Sequence, residues 1–288
     1  MDEQTAEVWP QPRVAAPLKV KEARIVNDVW MSWMLLADDL PEDFLERYLR
    51  IAQEVLPEAV PVRFADYEPY KRFDSEGAEG FIAEYYNSEA NKWQVHYKNP
   101  SPVRYGAIDG PEAARGNPFT EITLAVDGHA LTNDTLRTNL RRFFLVVATE
   151  LGAVYASAEV LRGRDLRRKP YFYIPPTQWV GFPPYPLWWV WAGPRLAPDI
   201  RRFLGPEATE HSGGLFRAFS DELLDRHQIS ENLGPENLPW IPAEYSAIYS
   251  DEYMKMTPLA VATVIPEALR NREPLDLPPG IYNPPRTT

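Results

Sequence analysis

The chain contains no cysteine among its 288 residues. This absence excludes disulfide bonds, thiolate metal ligands and cysteine nucleophiles. The first residues, MDEQTAEVWPQP, have neither the basic start nor the apolar stretch of a signal peptide, so we expect a cytoplasmic protein. The sequence also lacks a phosphate-binding loop, a dinucleotide fingerprint and the serine elbow of hydrolases. The sequence therefore gives no support for the enzyme classes that are identified by these short motifs.

Histidine is scarce, and no two of the four histidines have the HxH or HExxH spacing of metal ligands: His96, His129, His211 and His227. The run LLDRHQ, which holds His227, predicts the end of a helix rather than a catalytic pair. We therefore expect no metal, no cofactor and no catalytic residue, and interpret the protein as non-enzymatic.

Charge is distributed unevenly along the chain, whose net charge is −11. Residues 1–90 carry −10, residues 91–204 carry +6, and residues 205–288 carry −7. A nucleic-acid-binding protein normally has a dominant basic surface, so this balance makes nucleic acid an improbable partner. Acidic ends either fold over a basic middle or attract a basic partner by electrostatic steering.

The order of predicted elements is typical of an α+β fold with a mainly antiparallel sheet and helices packed on one face. Residues 18–36 indicate a strand, and a helix follows, capped by Asp39 with Pro41 in its first turn. Segments 81–86 and 92–98 predict a hairpin. Further strands are expected at 121–126 and in VYASAEV, on either side of a long helix that begins at TNDT.

Three regions are expected along the chain. Residues 1–17 form a flexible N-terminus, residues 18–256 a single α+β domain, and residues 257–288 a proline-rich C-terminal arm. The basic run 162–169 (RGRDLRRK) is expected to be a solvated loop.

A segment without any charged residue extends from Pro170 to Pro194 and is long enough to cross a bilayer. Its seven prolines exclude a spanning helix, because each removes a backbone donor that lipid cannot replace. The proline-free part, LWWVWA from Leu187, predicts a strand covered on both faces. In that strand Trp188 and Val190 would point one way, and Trp189 and Trp191 the other.

The run WVGFPPYPLWWVWAGPRLAPDI, together with the element order, resembles immunity proteins of bacterial polymorphic-toxin systems, of the immunity protein 52 kind. The resemblance covers about residues 120–205. It implies an α+β protein with a late tryptophan-bearing strand, followed by Gly-Pro and a short helix. It also implies a non-enzymatic inhibitor that binds a toxin, and it carries no catalytic residue.

The sequence offers two groups of residues for contact with such a protein partner, a basic toxin or effector. Acidic side chains near the first helix would steer the partner: Asp38, Asp39, Glu42 and Asp43. Aromatic side chains held by prolines would anchor it, because Trp and Tyr are enriched at binding hot spots: Trp179, Phe182 and Tyr185.

Two other functions fit parts of the same pattern. Paired carboxylates beside exposed tryptophans would suit a carbohydrate-binding or glycoside-active protein, and buried tryptophans would argue against it. A phage structural or assembly protein would use the proline-rich C-terminal arm to engage a neighbouring subunit.

Overall fold

A computed structural model describes residues 27–66, 68–89, 92–97, 101–111, 119–162, 181–246, 248–249 and 258–260. Within these ranges the strands are β1 (Asn27–Leu36), β2 (Arg63–Ala65), β3 (Lys71–Arg72), β4 (Lys92–His96), β5 (Val103–Asp109), β6 (Phe119–Asp127), β7 (Tyr155–Arg162), β8 (Trp189–Ala192), β9 (Thr209–His211), β10 (Gly214–Ala218), β11 (Ile248–Tyr249) and β12 (Pro258–Ala260). The α-helices are α1 (Phe44–Val55), α2 (Phe73–Tyr86), α3 (Asp134–Glu150), α4 (Ala197–Leu204) and α5 (Arg226–Leu233).

Ten strands form one sheet in the order β3-β2-β4-β5-β6-β1-β7-β8-β10-β9, and each neighbouring pair is antiparallel. Strands β11 and β12 form a separate antiparallel pair. The predicted α+β class with a mainly antiparallel sheet is therefore confirmed.

Strand β1 lies at the centre of the sheet, between β6 and β7. Its alternate residues Val29, Met31, Trp33 and Leu35 are fully buried in the main core, where helices α1, α2 and α3 also contribute side chains. The intervening residues Met34 and Leu36 are buried in a second core cluster, so the period of two separates two cores on opposite faces of the strand. The indole nitrogen of Trp33 donates to the carbonyl of Phe144 in α3 (3.0 Å) and fixes that helix against the strand.

The two long amphipathic helices follow their predicted stripes. In α1 the apolar stripe, from Phe44 to Val55, is buried, and the polar side is exposed. In α3 the side chain of Asn133 caps the helix by accepting from the N–H of Leu136. Helix α4 belongs to a second core cluster, in which Ile200 packs with Met34 of β1. Because Met34 alternates with Trp33, α4 covers the opposite face of the sheet.

The predicted hairpin over 81–86 and 92–98 is wrong in its first half, because residues 81–86 belong to α2. Phe81 and Tyr85 lie four residues apart and are both buried on one side of the helix. Two glycines weaken the helical pattern before them, and Gly77 interrupts the helix with a φ of 67°. The second segment is strand β4, whose partners are β2 and β5.

Two predicted helix ends also differ from the structure. Asp39 lies in a short 3-10 turn (Ala37–Asp39), and α1 begins at Phe44 with Asp43 in the capping position. The run LLDRHQ begins a helix instead of ending one. Asp225 caps α5 by accepting from the backbone N–H groups of His227 (2.9 Å) and Gln228 (3.0 Å). A capping box explains this start.

The tryptophan-rich strand β8 lies in the core, as the sequence predicts. Trp189 and Trp191 belong to the main core and Val190 to the second cluster. Trp188, which precedes the strand, departs from the expected alternation, because its ring stacks on Trp189 with 4.0 Å between centroids. The Trp191 ring covers Gly214 of β10, where an added Cβ would lie 2.3 Å from it.

Several predicted regions lie wholly or partly outside the described residues. These are the flexible N-terminus 1–17, most of the basic run 162–169 and most of the arm 257–288. Strand β12 lies within that predicted arm and pairs with β11.

Candidate functional site

The acidic segment predicted as a contact site lies between the end of β1 and the start of α1. Its four carboxylate residues are exposed to solvent: Asp38, Asp39, Glu42 and Asp43. The segment is therefore accessible to a partner, as an electrostatic steering site requires.

Two of these four carboxylates are held in exposed ion pairs. Asp39 pairs with Arg195 (2.8 Å), which lies between β8 and α4. Asp43 accepts a hydrogen bond from Nε of Arg47, one helical turn further along α1 (2.8 Å). This hydrogen bond lowers the pKa of Asp43. Both pairs reduce the net charge that Asp39 and Asp43 present to a partner.

Glu42 adjoins an exposed aromatic residue, Tyr86, at the end of α2. The Tyr86 side chain is 51% exposed, and its hydroxyl donates to the backbone carbonyl of Glu42 (3.3 Å). The ring also packs edge-on against Tyr85, with 5.3 Å between centroids. These contacts hold the ring of Tyr86 in one orientation while much of it remains open to solvent.

The carboxylates of Glu42 and Glu46 give this position a negative field. Burial of the phenol raises the pKa of Tyr86, and the charges of Glu46 and then Glu42 raise it further. Neither carboxylate forms an ion pair with another described residue. We refer to Glu42, Glu46 and Tyr86 as the α1–α2 surface.

The predicted aromatic anchors have different positions. Phe182 is fully buried in the second core cluster, edge-on to Tyr155 and Trp240 with 5.4 and 6.0 Å between centroids. This burial removes Phe182 from the predicted contact surface, because its ring cannot reach a partner. Trp179 lies outside the described residues.

Tyr185 is half-buried, and the guanidinium carbon of Arg226 lies 4.3 Å from its ring centroid. Arg226 is itself buried and forms an ion pair with Glu159 of β7 (3.8 Å), which is also buried. The three side chains connect the start of α5 to the sheet. Tyr185 therefore has a structural contact besides its predicted role as an anchor.

The described tryptophans do not form an exposed platform. Trp30 is half-buried and stacks on Tyr105 (5.5 Å), and the others are buried: Trp33, Trp93, Trp188, Trp189, Trp191 and Trp240. A glycan site of the predicted kind requires exposed tryptophans beside paired carboxylates. The glycan-binding alternative is accordingly not favoured.

The described residues contain neither a cluster of metal ligands nor a membrane-spanning helix. No three of their histidine, aspartate and glutamate side chains are grouped so that they could hold a metal ion. None of their helices combines the length and apolar character that crossing a membrane requires.

Comparison with known proteins shows that a solved structure has a similar fold. No protein-family profile matches the chain, and no curated protein matches its sequence. Among solved structures, the fold is similar to that of the Pseudomonas aeruginosa T6SS protein PA0821, with a TM-score of 0.52 and 14% sequence identity. The match covers 88% of this chain and 87% of that chain.

Tyr86 is the one exposed aromatic side chain that sequence reasoning missed at the acidic segment. Assignment of residues 81–86 to a strand separated it from Glu42. The pattern FIAEYY, with Phe81 and Tyr85 one helical turn apart, was the available signal, since it leaves Tyr86 on a different side of a helix.

Proposed function

We propose that the protein is a cytoplasmic, non-enzymatic immunity or antagonist protein that neutralises a basic toxin or effector by occlusion. The observation that carries this proposal is the α1–α2 surface, where an oriented, exposed tyrosine adjoins two carboxylates that have no ion-pair partner among the described residues. Tyrosine is a frequent binding hot spot, and unpaired carboxylates attract a basic surface. The likeness of fold to a T6SS protein is compatible with a role in this setting.

The acidic and the aromatic side chains have different roles in the proposed occlusion. Glu42 and Glu46 accelerate the encounter with a basic partner through their charge. The partner then covers the exposed part of the Tyr86 ring, and this contact slows dissociation. The ion-paired residues Asp39 and Asp43 contribute less to this attraction, because Arg195 and Arg47 already screen their charge.

Affinity capture from the native host tests this proposal. The tagged chain serves as bait, and a second bait carries Glu42→Lys, Glu46→Lys and Tyr86→Ala. We expect one stoichiometric protein with a basic contact surface that the second bait fails to retain. Production of that protein alone should arrest growth of a heterologous host, and co-production of the wild-type chain should restore it.

A control variant is available in the turn Pro57–Ala59, which follows α1. Glu58 is exposed beyond the opposite end of α1, so Glu58→Lys makes one charge reversal at a different place and matches each of the two reversals in the second bait. This variant should retain the partner. A captured protein whose production leaves growth unchanged would overturn the antagonist role.

A further inference from the structure

Three basic side chains lie in a row across the strands at one edge of the sheet. Arg63 of β2 is directly opposite Arg72 of β3 on one side and His96 of β4 on the other. Residues that face each other across antiparallel strands have Cβ atoms about 5 Å apart on the same face. The order of the row is therefore Arg72, Arg63, His96.

This row is energetically unfavourable without a counter-charge. Like charges directly opposite each other destabilise a sheet. Asp74 offsets the charge of Arg72, because its carboxylate accepts a hydrogen bond from Nε of Arg72 (3.0 Å). Arg63, in the middle of the row, has no ion pair with any described residue.

His96 adds a polar atom without a partner. Its Nε2 atom is buried and has no hydrogen-bond partner among the described residues. Its ring packs against Tyr70, with 4.1 Å between centroids. Burial lowers the pKa of His96, and the charge of Arg63 lowers it further, whereas Glu68 raises it. This lowered pKa favours the neutral imidazole, which carries one N–H.

The row borders a cleft of about 780 Å³ that is large enough for a small organic ligand. Tyr70, Phe73 and Tyr97 contribute apolar walls. The carboxylates in the lining are Asp74, which is held by Arg72, and Glu68, which forms no ion pair with a described residue. Arg63 and Nε2 of His96 are left as donors for a ligand, and the carboxylate of Glu68 is left as an acceptor.

We propose that this cleft binds an oxyanion group, phosphate or carboxylate, held by the guanidinium of Arg63 with His96 and Arg72 on either side. Arginine offers two parallel N–H groups to such an anion, and Nε2 of His96 is a further donor without a partner in a residue that lines the cleft. The site is independent of the proposed function, because it lies beyond the C-terminal end of α1. The α1–α2 surface lies at the start of that helix, whose twelve residues are about 18 Å long.

Calorimetric titration of the full chain at constant ionic strength tests the proposal, with inorganic phosphate, acetate and chloride as probes. We expect saturable binding of phosphate or acetate and none of chloride. Saturation by phosphate alone identifies a phosphate-bearing ligand, and saturation by acetate identifies a carboxylate. The pKa of His96, measured from the pH dependence of its ring signals in NMR spectra, should rise when the anion binds.

Variants of Arg63 make the test specific. Arg63→Gln should weaken binding about tenfold or more, and Arg63→Lys by a smaller factor, since lysine keeps the charge but not the paired donors. Arg201→Gln removes an exposed arginine that pairs with Glu210 and does not line the cleft, so it should leave binding unchanged. Matching thermal unfolding midpoints would confirm that the variants fold. The proposal is overturned if neither anion saturates, or if both Arg63 variants bind as the wild type does.

Discussion

The hydroxyl of Tyr86 donates a hydrogen bond to the backbone carbonyl of Glu42 across the ends of α2 and α1 (3.3 Å). This contact joins an aromatic side chain to the acidic segment, although 44 residues separate the two in the chain. A tyrosine held in this way has already lost part of its side-chain entropy, so less is lost when a partner covers it.

Truncation of the aromatic ring should act on dissociation of the captured partner. We expect Tyr86→Ala to weaken binding by about 2 kcal/mol, or roughly thirtyfold, mainly through a faster dissociation rate. Surface plasmon resonance measures both rates. Tyr86→Phe separates the hydroxyl from the ring, and it should retain most of the affinity. An unchanged dissociation rate in Tyr86→Ala would exclude this ring from the contact.

Charge reversal should act on association instead. Glu42→Lys and Glu46→Lys remove the negative field beside Tyr86, so the association rate should fall and its dependence on salt should weaken. Stopped-flow kinetics at several ionic strengths checks this result. Glu58→Lys is the control, because it changes the net charge by as much as either single variant does. An equal slowing in Glu58→Lys would assign the effect to net charge rather than to the α1–α2 surface.

Phe182 should affect stability and not the contact. Phe182→Ala removes a fully buried ring and should lower the free energy of unfolding by about 3–5 kcal/mol. Tyr86→Ala, at the exposed position, should cost about 1 kcal/mol or less. Urea unfolding followed by circular dichroism compares the two. A small loss for Phe182→Ala would contradict its placement in the core.

The buried ion pair between Arg226 and Glu159 should show strong coupling. Arg226→Leu removes the positive charge beside the buried Glu159 carboxylate and should lower the free energy of unfolding. A second change, Glu159→Leu, should recover part of that loss, because no buried charge remains at the pair. Additive losses in the double variant, measured by urea unfolding, would show that the two side chains do not interact.

The titration of His96 should respond in opposite directions to its two charged neighbours. We expect a pKa below the ordinary value for histidine, because burial and Arg63 both disfavour the charged ring. Arg63→Gln removes a positive neighbour and should raise this pKa. Glu68→Gln removes a negative neighbour and should lower it. NMR titration of the ring protons gives all three values, and shifts of the opposite sign would contradict the arrangement of the row.

Local patterns in the sequence predict much of the fold. The stripe of α1, the stripe of α3 and the alternation in β1 each follow from residues close together in the chain. The apolar run at Trp189 likewise predicts a buried strand, since seven prolines exclude a membrane helix. Helix α2 is missed because Gly77 and Gly80 weaken its pattern, although the spacing of Phe81 and Tyr85 is a helical signal.

The sites depend on pairings that the sequence does not encode locally. His96 meets Arg63 only through the register of β2 with β4, and a slip of one residue would place it on the other face. Phe182 was predicted at a contact surface because of its prolines, yet the packing of Tyr155 and Trp240 around it places it in the core. Such long-range contacts override local composition.

Growth rescue tests the central claim most directly. Cells that produce the captured partner are supplied either with the wild-type chain or with the variant Glu42→Lys, Glu46→Lys, Tyr86→Ala, after urea unfolding has shown that both are equally stable. The account predicts that the wild-type chain restores growth and that the triple variant does not. Full restoration by the triple variant would contradict neutralisation through the α1–α2 surface.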